Sequence, residues 1–182
     1  MHKSDQEIIS DLKKAGNQDL AFQMLVEKYQ ERLYWHIRKI VLDHDDADDI
    51  LQNTFIKVWR NLSNFREESS LFTWLYRIAT NESLTYLNSK KKRSLLAIND
   101  VSDFLMENLE SDPYFEGDEI QRNLQKAILT LPEKQRLVFN MKYFDNLKYT
   151  DMAEVLNTSV GALKASFHHA VKKIEEYLNK LE

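Results

Sequence analysis

The 182-residue chain has no cysteine, two prolines and three glycines. Without cysteine it forms no disulfide and no thiolate metal site, which fits a reducing cytoplasm. Sheets and tight hairpins consume glycine and proline at their turns, so their scarcity points to helices joined by short polar loops. No apolar run approaches the roughly 18 residues that span a bilayer. The N-terminus, Met1 to Gln6, leads into a polar amphipathic helix rather than a signal-peptide core. Also missing are a glycine-rich phosphate loop, a nucleophile elbow and a catalytic-triad pattern. These absences predict a cytoplasmic binding protein that is not an enzyme, holds no cofactor and inserts in no membrane.

A net charge of −4 argues at first against nucleic acid, but the distribution reverses this. Residues 1–93 carry 15 Lys+Arg against 14 Asp+Glu. Residues 94–119 carry 8 acidic residues and no basic one, and residues 120–182 carry 10 basic against 7 acidic. Two near-neutral or mildly basic blocks thus flank one acidic segment. That segment holds Pro113 and Gly117 and lacks a sustained helical period beyond the patch Phe104-Leu105-Met106. It reads as a linker or a solvated acidic loop.

What is present is helical periodicity. Ile8, Ile9 and Leu12 mark a short first helix. Phe22, Leu25, Val26, Tyr29, Leu33, Ile37, Ile40 and Val41 recur at three- and four-residue steps across 20–42. Ile50, Leu51, Phe55, Val58, Trp59 and Leu62 mark a third helix, and a fourth runs from about 70 to 90. The aspartates between 43 and 49 suit a helix start, where unpaired N–H groups attract negative charge. As an EF-hand loop they fail, because Asp48 stands where glycine is needed and Thr54 where the bidentate glutamate is needed. His2, His36 and His44 have no ligand-like spacing and read as ordinary surface or core histidines; no metal site is expected. After the linker, 120–130 and 132–144 read as helices, with Pro132 suited to a first turn.

The sharpest local pattern spans 149–178. Ala153 is small enough for close helix contact, Asn157 can adopt the left-handed conformation of a tight turn, and Thr158 or Ser159 can cap the next helix. Leu163 returns to the shared core. This is the layout of a helix-turn-helix. The second helix buries Val160, Leu163, Phe167, Ala170 or Val171, Ile174 and Leu178, and turns Gly161, Ala162, Lys164, Ala165, Ser166, His168, His169, Lys172 and Lys173 elsewhere. Small residues permit close approach to a groove, and Lys and His reach bases or phosphates. A plain helical hairpin with a solvated basic face is the alternative. Upstream, Phe65 to Asn81 interleaves aromatics with arginines, and Lys90-Lys91-Lys92-Arg93 comes after. Stacking surfaces beside backbone-holding cations are what single-stranded DNA requires, although Trp74, Leu75 and Ile78 also read as core.

At these residues the sequence resembles the bacterial RNA polymerase sigma factors of the extracytoplasmic-function (ECF) type. Residues 22–41 resemble the opening helix of the first domain. Asp49-Ile50-Leu51-Gln52-Asn53-Thr54-Phe55 with Val58-Trp59 resembles the core-polymerase-binding helix. Thr73-Trp74-Leu75-Tyr76-Arg77-Ile78-Ala79 with Asn81 resembles the −10-capturing segment. Residues 131–173 resemble the −35-reading domain, and the string from Gly161 to Lys173 resembles a variant of Bacteroidetes-like bacteria.

The resemblance implies an all-α fold with two helical domains, 1–93 and 120–182, joined by the linker 94–119. It implies core-polymerase contacts from Asp49, Gln52, Asn53 and Phe55. It implies −10 contacts from Phe65, Arg66, Phe72, Thr73, Trp74, Arg77 and Asn81, and −35 contacts from Lys164, Ala165, Ser166, His168, His169 and Lys172. The implied partners are core RNA polymerase, promoter DNA (duplex at −35, single-stranded at −10) and an anti-sigma factor. In such proteins the linker threads basic polymerase channels, which would account for its acidity. Ala165, Ser166 and His169 depart from relatives that often place serine and arginines there, so phosphate anchoring is expected to be weaker. Two rivals remain open: a helix-turn-helix regulator that binds operator duplex without polymerase, and a helical adaptor with no DNA role.

Overall fold

The computed structural model describes residues 3–14, 16–93, 101–112 and 117–181, and among these every regular element is helical. The order is α1 (Asp5–Leu12), α2 (Gln18–Val41), α3 (His44–Asn61), a 3₁₀ turn (Leu62–Asn64), α4 (Leu71–Arg93), α5 (Val101–Ser111), α6 (Glu119–Leu129), α7 (Glu133–Tyr143), α8 (Tyr149–Leu156) and α9 (Val160–Leu178). None is long and apolar enough to cross a membrane.

Helices α2, α3 and α4 pack against one another, and α1 lies on α2. Along α2, Leu25, Tyr29, Leu33, Ile37 and Val41 are buried at four-residue steps, so the predicted stripe faces the core. The helix stops where Leu42 turns left-handed (φ 56°). Asp43 then caps α3, its carboxylate accepting from the Asp46 N–H at 2.8 Å, while Asp45 and Asp46 occupy the first turn. The aspartate cluster thus starts a helix. Ser70 starts α4 in the same way, accepting from the Thr73 N–H at 3.1 Å.

Inside the segment expected to be a loop or linker, the structure contains an 11-residue helix, α5. Leu105 and Leu109, one turn apart, are buried in the main core. Asn108 Nδ2 donates to the Val41 carbonyl at 3.1 Å, and Arg38 pairs with Asp112 just beyond α5. Phe104 and Met106 pack beside these two leucines against the same core, so an apolar side seats the short helix while its acidic residues lie around it.

Helices α6, α7 and α9 enclose a second core of Ala127, Ile128, Leu131, Phe139, Ala170 and Ile174. There the Phe139 and Phe167 rings stack with centroids 5.8 Å apart. The opposite side of this block is not independent. Leu137, Val138, Met141, Leu147, Met152, Val155 and Leu163 join the core built by α2, α3 and α4.

Candidate nucleic-acid interface

Helices α8 and α9 form the helix-turn-helix. Asn157 takes the left-handed conformation (φ 47°, ψ 53°), and its N–H returns to the Ala153 carbonyl. Ser159 caps α9 by accepting from the Ala162 N–H at 3.2 Å. Thr158 instead donates its hydroxyl to the Leu156 carbonyl. Leu163 is fully buried, as are Ala170 and Ile174, and this fixes which face α9 presents.

That face carries exposed Gly161, Ala162, Lys164, Ala165, His168, His169 and Lys172, with Ser166 half-buried at its flank. The His168 and His169 rings lie 6.0 Å apart. A Cβ built on Gly161 would meet nothing within 4 Å, so internal packing does not require glycine there. Lys164 sits 5.9 Å from the Tyr149 ring centre, and Lys172 lies 3.9 Å from Glu176, which offsets part of its charge.

The second candidate surface is the loop entering α4. Phe65 packs on Trp74 with ring centres 4.9 Å apart. Glu67 adopts positive φ (58°) and pairs with Lys13. Arg66, Arg77 and Asn81 are exposed, and Phe65 and Phe72 are half-buried. The Arg32 guanidinium lies over the Phe72 ring at 4.1 Å. Thr73 and Trp74, also expected to contact bases, are 2% and 7% exposed in the free chain, and Trp74 lines a cleft beside Phe65 and Arg77. Thr73 completes the helix start through its 2.8 Å contact with the Ser70 hydroxyl, and Trp74 backs Phe65. A cleft of about 430 Å³ opens between Phe65, Arg66, Glu68 and Arg77 on one side and Glu154 and Asn157 of α8 on the other.

On α3, Asp49, Gln52 and Asn53 share one exposed face. Phe55 does not belong to it. At 8% exposure it packs edge-on against Phe22 and supports the face from inside. Ile56, 47% exposed, continues the face by one turn. Sequence reasoning missed it, although its three-residue step from Asn53 was visible.

Two sequence families match the chain: Sigma-70 region 2 over residues 25–93 and Sigma-70 region 4 over 121–174. The RNA polymerase sigma-H factor of Pseudomonas aeruginosa is 32% identical over 98% of this chain and 96% of its own length. The ECF sigma factor SigW of Bacillus subtilis is 30% identical over 92% and 94%. Among solved structures, CnrH in complex with the cytosolic domain of CnrY superimposes with a TM-score of 0.69 at 21% identity, covering 98% of this chain and 99% of that one. RpoE of Bartonella quintana, in complex with the anti-sigma factor NepR, gives 0.65 at 21% identity, covering 87% and 96%. These two likenesses show a shared fold. The chain belongs to the ECF family of RNA polymerase sigma factors and is a transcription initiation factor.

Proposed function

We propose that the chain docks on core polymerase through the α3 face of Asp49, Gln52, Asn53 and Ile56, reads −35 duplex with α9, and captures unpaired −10 bases at the loop preceding α4. The observation that carries this reading is the sorting of α9. Its buried stripe is wholly apolar, and its open face is small at the N-terminus and cationic or imidazole-bearing beyond it. A helix so sorted can enter a major groove by its N-terminal end while Lys164 and Lys172 reach phosphates. His168 and His169 then face base edges or the backbone.

Extruding a base costs a few kcal/mol of unstacking and unpairing, and one aromatic stack returns about 1–3 kcal/mol. Half-buried Phe65 and Phe72 offer that stack, while Arg66, Arg77 and Asn81 supply charge and hydrogen bonds. The chemistry of RNA synthesis stays with the polymerase. Action in the cytoplasm and restraint by an anti-sigma factor belong to the same reading.

Run-off transcription with purified core polymerase tests it. A transcript that depends on this chain supports the assignment. Tight binding to a half-site-symmetric duplex without polymerase, and no transcript, would support an independent regulator instead.

A further inference from the structure

Glu67 and Glu68 put two carboxylates beside Arg66 in the loop assigned to −10 DNA. The structure separates them. Arg66 and Glu68 line the −10 cleft together with Phe65, Trp74 and Arg77. Glu67, between them in sequence, pairs with Lys13, 54 residues away. It does so from the left-handed region (φ 58°), where a side chain with a Cβ stays only when its surroundings hold it.

A well-anchored helix presents Lys13. Ile8 and Leu12 of α1 are buried, and Asp5 accepts from the Tyr29 hydroxyl at 2.7 Å and from Lys28 Nζ at 2.6 Å, both on α2. Lys13 follows the last turn of α1, its N–H donating to the Ile9 carbonyl at 3.3 Å. Neighbouring Lys14 turns back to Asp11 at 3.1 Å, so Lys13 is the lysine that reaches the loop. A second cleft, of about 440 Å³, is lined in part by Ile9, Leu12 and Lys13 on one side and Trp59, Leu62 and Phe65 on the other. Phe65 thus borders both clefts, with α1 across one and the −10 site in the other. Helix α1 precedes the Sigma-70 region 2 match, which begins at residue 25.

We propose that Lys13 is a positioning residue for −10 capture, a strut from α1 that grips Glu67 and holds the loop in the conformation that sends Arg66 and Glu68 into the cleft. It rests on the −10 assignment above. The Lys13 and Glu67 side chains are 61% and 46% exposed, and a pair so open to solvent couples by up to about fivefold in an equilibrium. The strut therefore tunes the loop and leaves the fold to the buried residues.

The test is a charge-swap cycle in the full chain. Lys13→Glu and Glu67→Lys each set like charges against one another, and the double variant restores an opposite pair. The first readout is amide hydrogen exchange by NMR at Phe65 and Thr73, whose N–H groups bond the Leu62 carbonyl and the Ser70 hydroxyl and frame the loop. Exchange there follows the local opening equilibrium. Each single variant should speed it roughly two- to fivefold, the double variant should return it to the native rate, and 1 M salt should shrink the differences. Lys14→Glu, the same charge change one residue away, should leave the native rate. The second readout is affinity for fluorescein-labelled single-stranded DNA of randomised sequence, measured as the gain over core polymerase alone when the chain is bound to it. The single changes alter the charge facing DNA in opposite directions, so the cycle isolates the coupling, again roughly two- to fivefold. Native exchange rates in both single variants, or a double variant no slower than either, would overturn the strut. Coupled exchange with purely additive effects on DNA affinity would overturn its role in capture. If Phe65→Ala holds the probe as tightly as the native chain, the −10 assignment fails and the role in capture with it, while restored exchange in the double variant would still establish the strut.

Discussion

His36 and Asp145, 109 residues apart in sequence, meet at 3.0 Å across the contact between regions 2 and 4, both almost wholly out of solvent. Thr80 donates its hydroxyl to the Tyr76 carbonyl at 2.7 Å and lies 2.8 Å from His36 Nε2, while the Asp145 carboxylate faces Nδ1 on the other side of the ring.

The same contact sets a pH dependence. Burial alone would push the Asp145 carboxyl up, but the hydrogen bond from His36 and the charges of His36 and Lys39 outweigh it and hold the group below the usual carboxylate range. A depressed acid stabilises the folded state above its unfolded value, about 3.9, and that stabilisation is lost as pH falls through the folded value. The difference in melting temperature between the native chain and Asp145→Asn should be constant from neutral pH to about 5 and shrink below about 4. A difference that grows on acidification would reverse the sign of the argument.

Gly161 separates fold from function. Nothing in the protein lies near a Cβ placed there, so Gly161→Ala should leave thermal stability unchanged or raise it by up to about 1 kcal/mol. Gly161→Leu should also fold, yet it should lose most −35 affinity in the holoenzyme, because the added bulk meets the groove. Undiminished promoter binding by Gly161→Leu would remove the helix N-terminus from the interface.

In α5, Leu105→Ala and Leu109→Ala should each cost about 2–5 kcal/mol by urea unfolding, the range for buried leucines. Were the segment a solvated linker, each would fall within about 0.5 kcal/mol of native.

On α3, Asp49→Arg with Gln52→Arg should abolish co-purification with core polymerase while circular dichroism stays native, since both side chains are exposed. Retained co-purification would remove this face from the polymerase-docking surface.

The helices that carry one strong stripe were legible from sequence. Leu25 to Val41 in α2 and Leu163 to Ile174 in α9 repeat the helical period long enough to declare both element and face, and Asn157 and Ser159 took the turn and cap positions their chemistry suggested. Helix α5 was not legible, because Leu105 and Leu109 stand among acidic residues and give only one repeat of the period. Thr73, Trp74 and Phe55 mark another limit. A motif names residue types, and it gives no sign that these three side chains are buried in the free chain. His36 read as an ordinary histidine, since no local pattern encodes a partner as distant as Asp145.

Promoter opening itself is read most directly by permanganate footprinting of the holoenzyme on a cognate promoter, comparing the native chain with Phe65→Ala and Asn81→Ala. The native holoenzyme should make −10 thymines reactive, and each substitution should reduce that reactivity at least several-fold, the lower end of one lost base stack, while closed-complex binding persists. Native-level thymine reactivity in both variants, or an equal loss of closed and open complexes, would contradict capture of unpaired bases at this site.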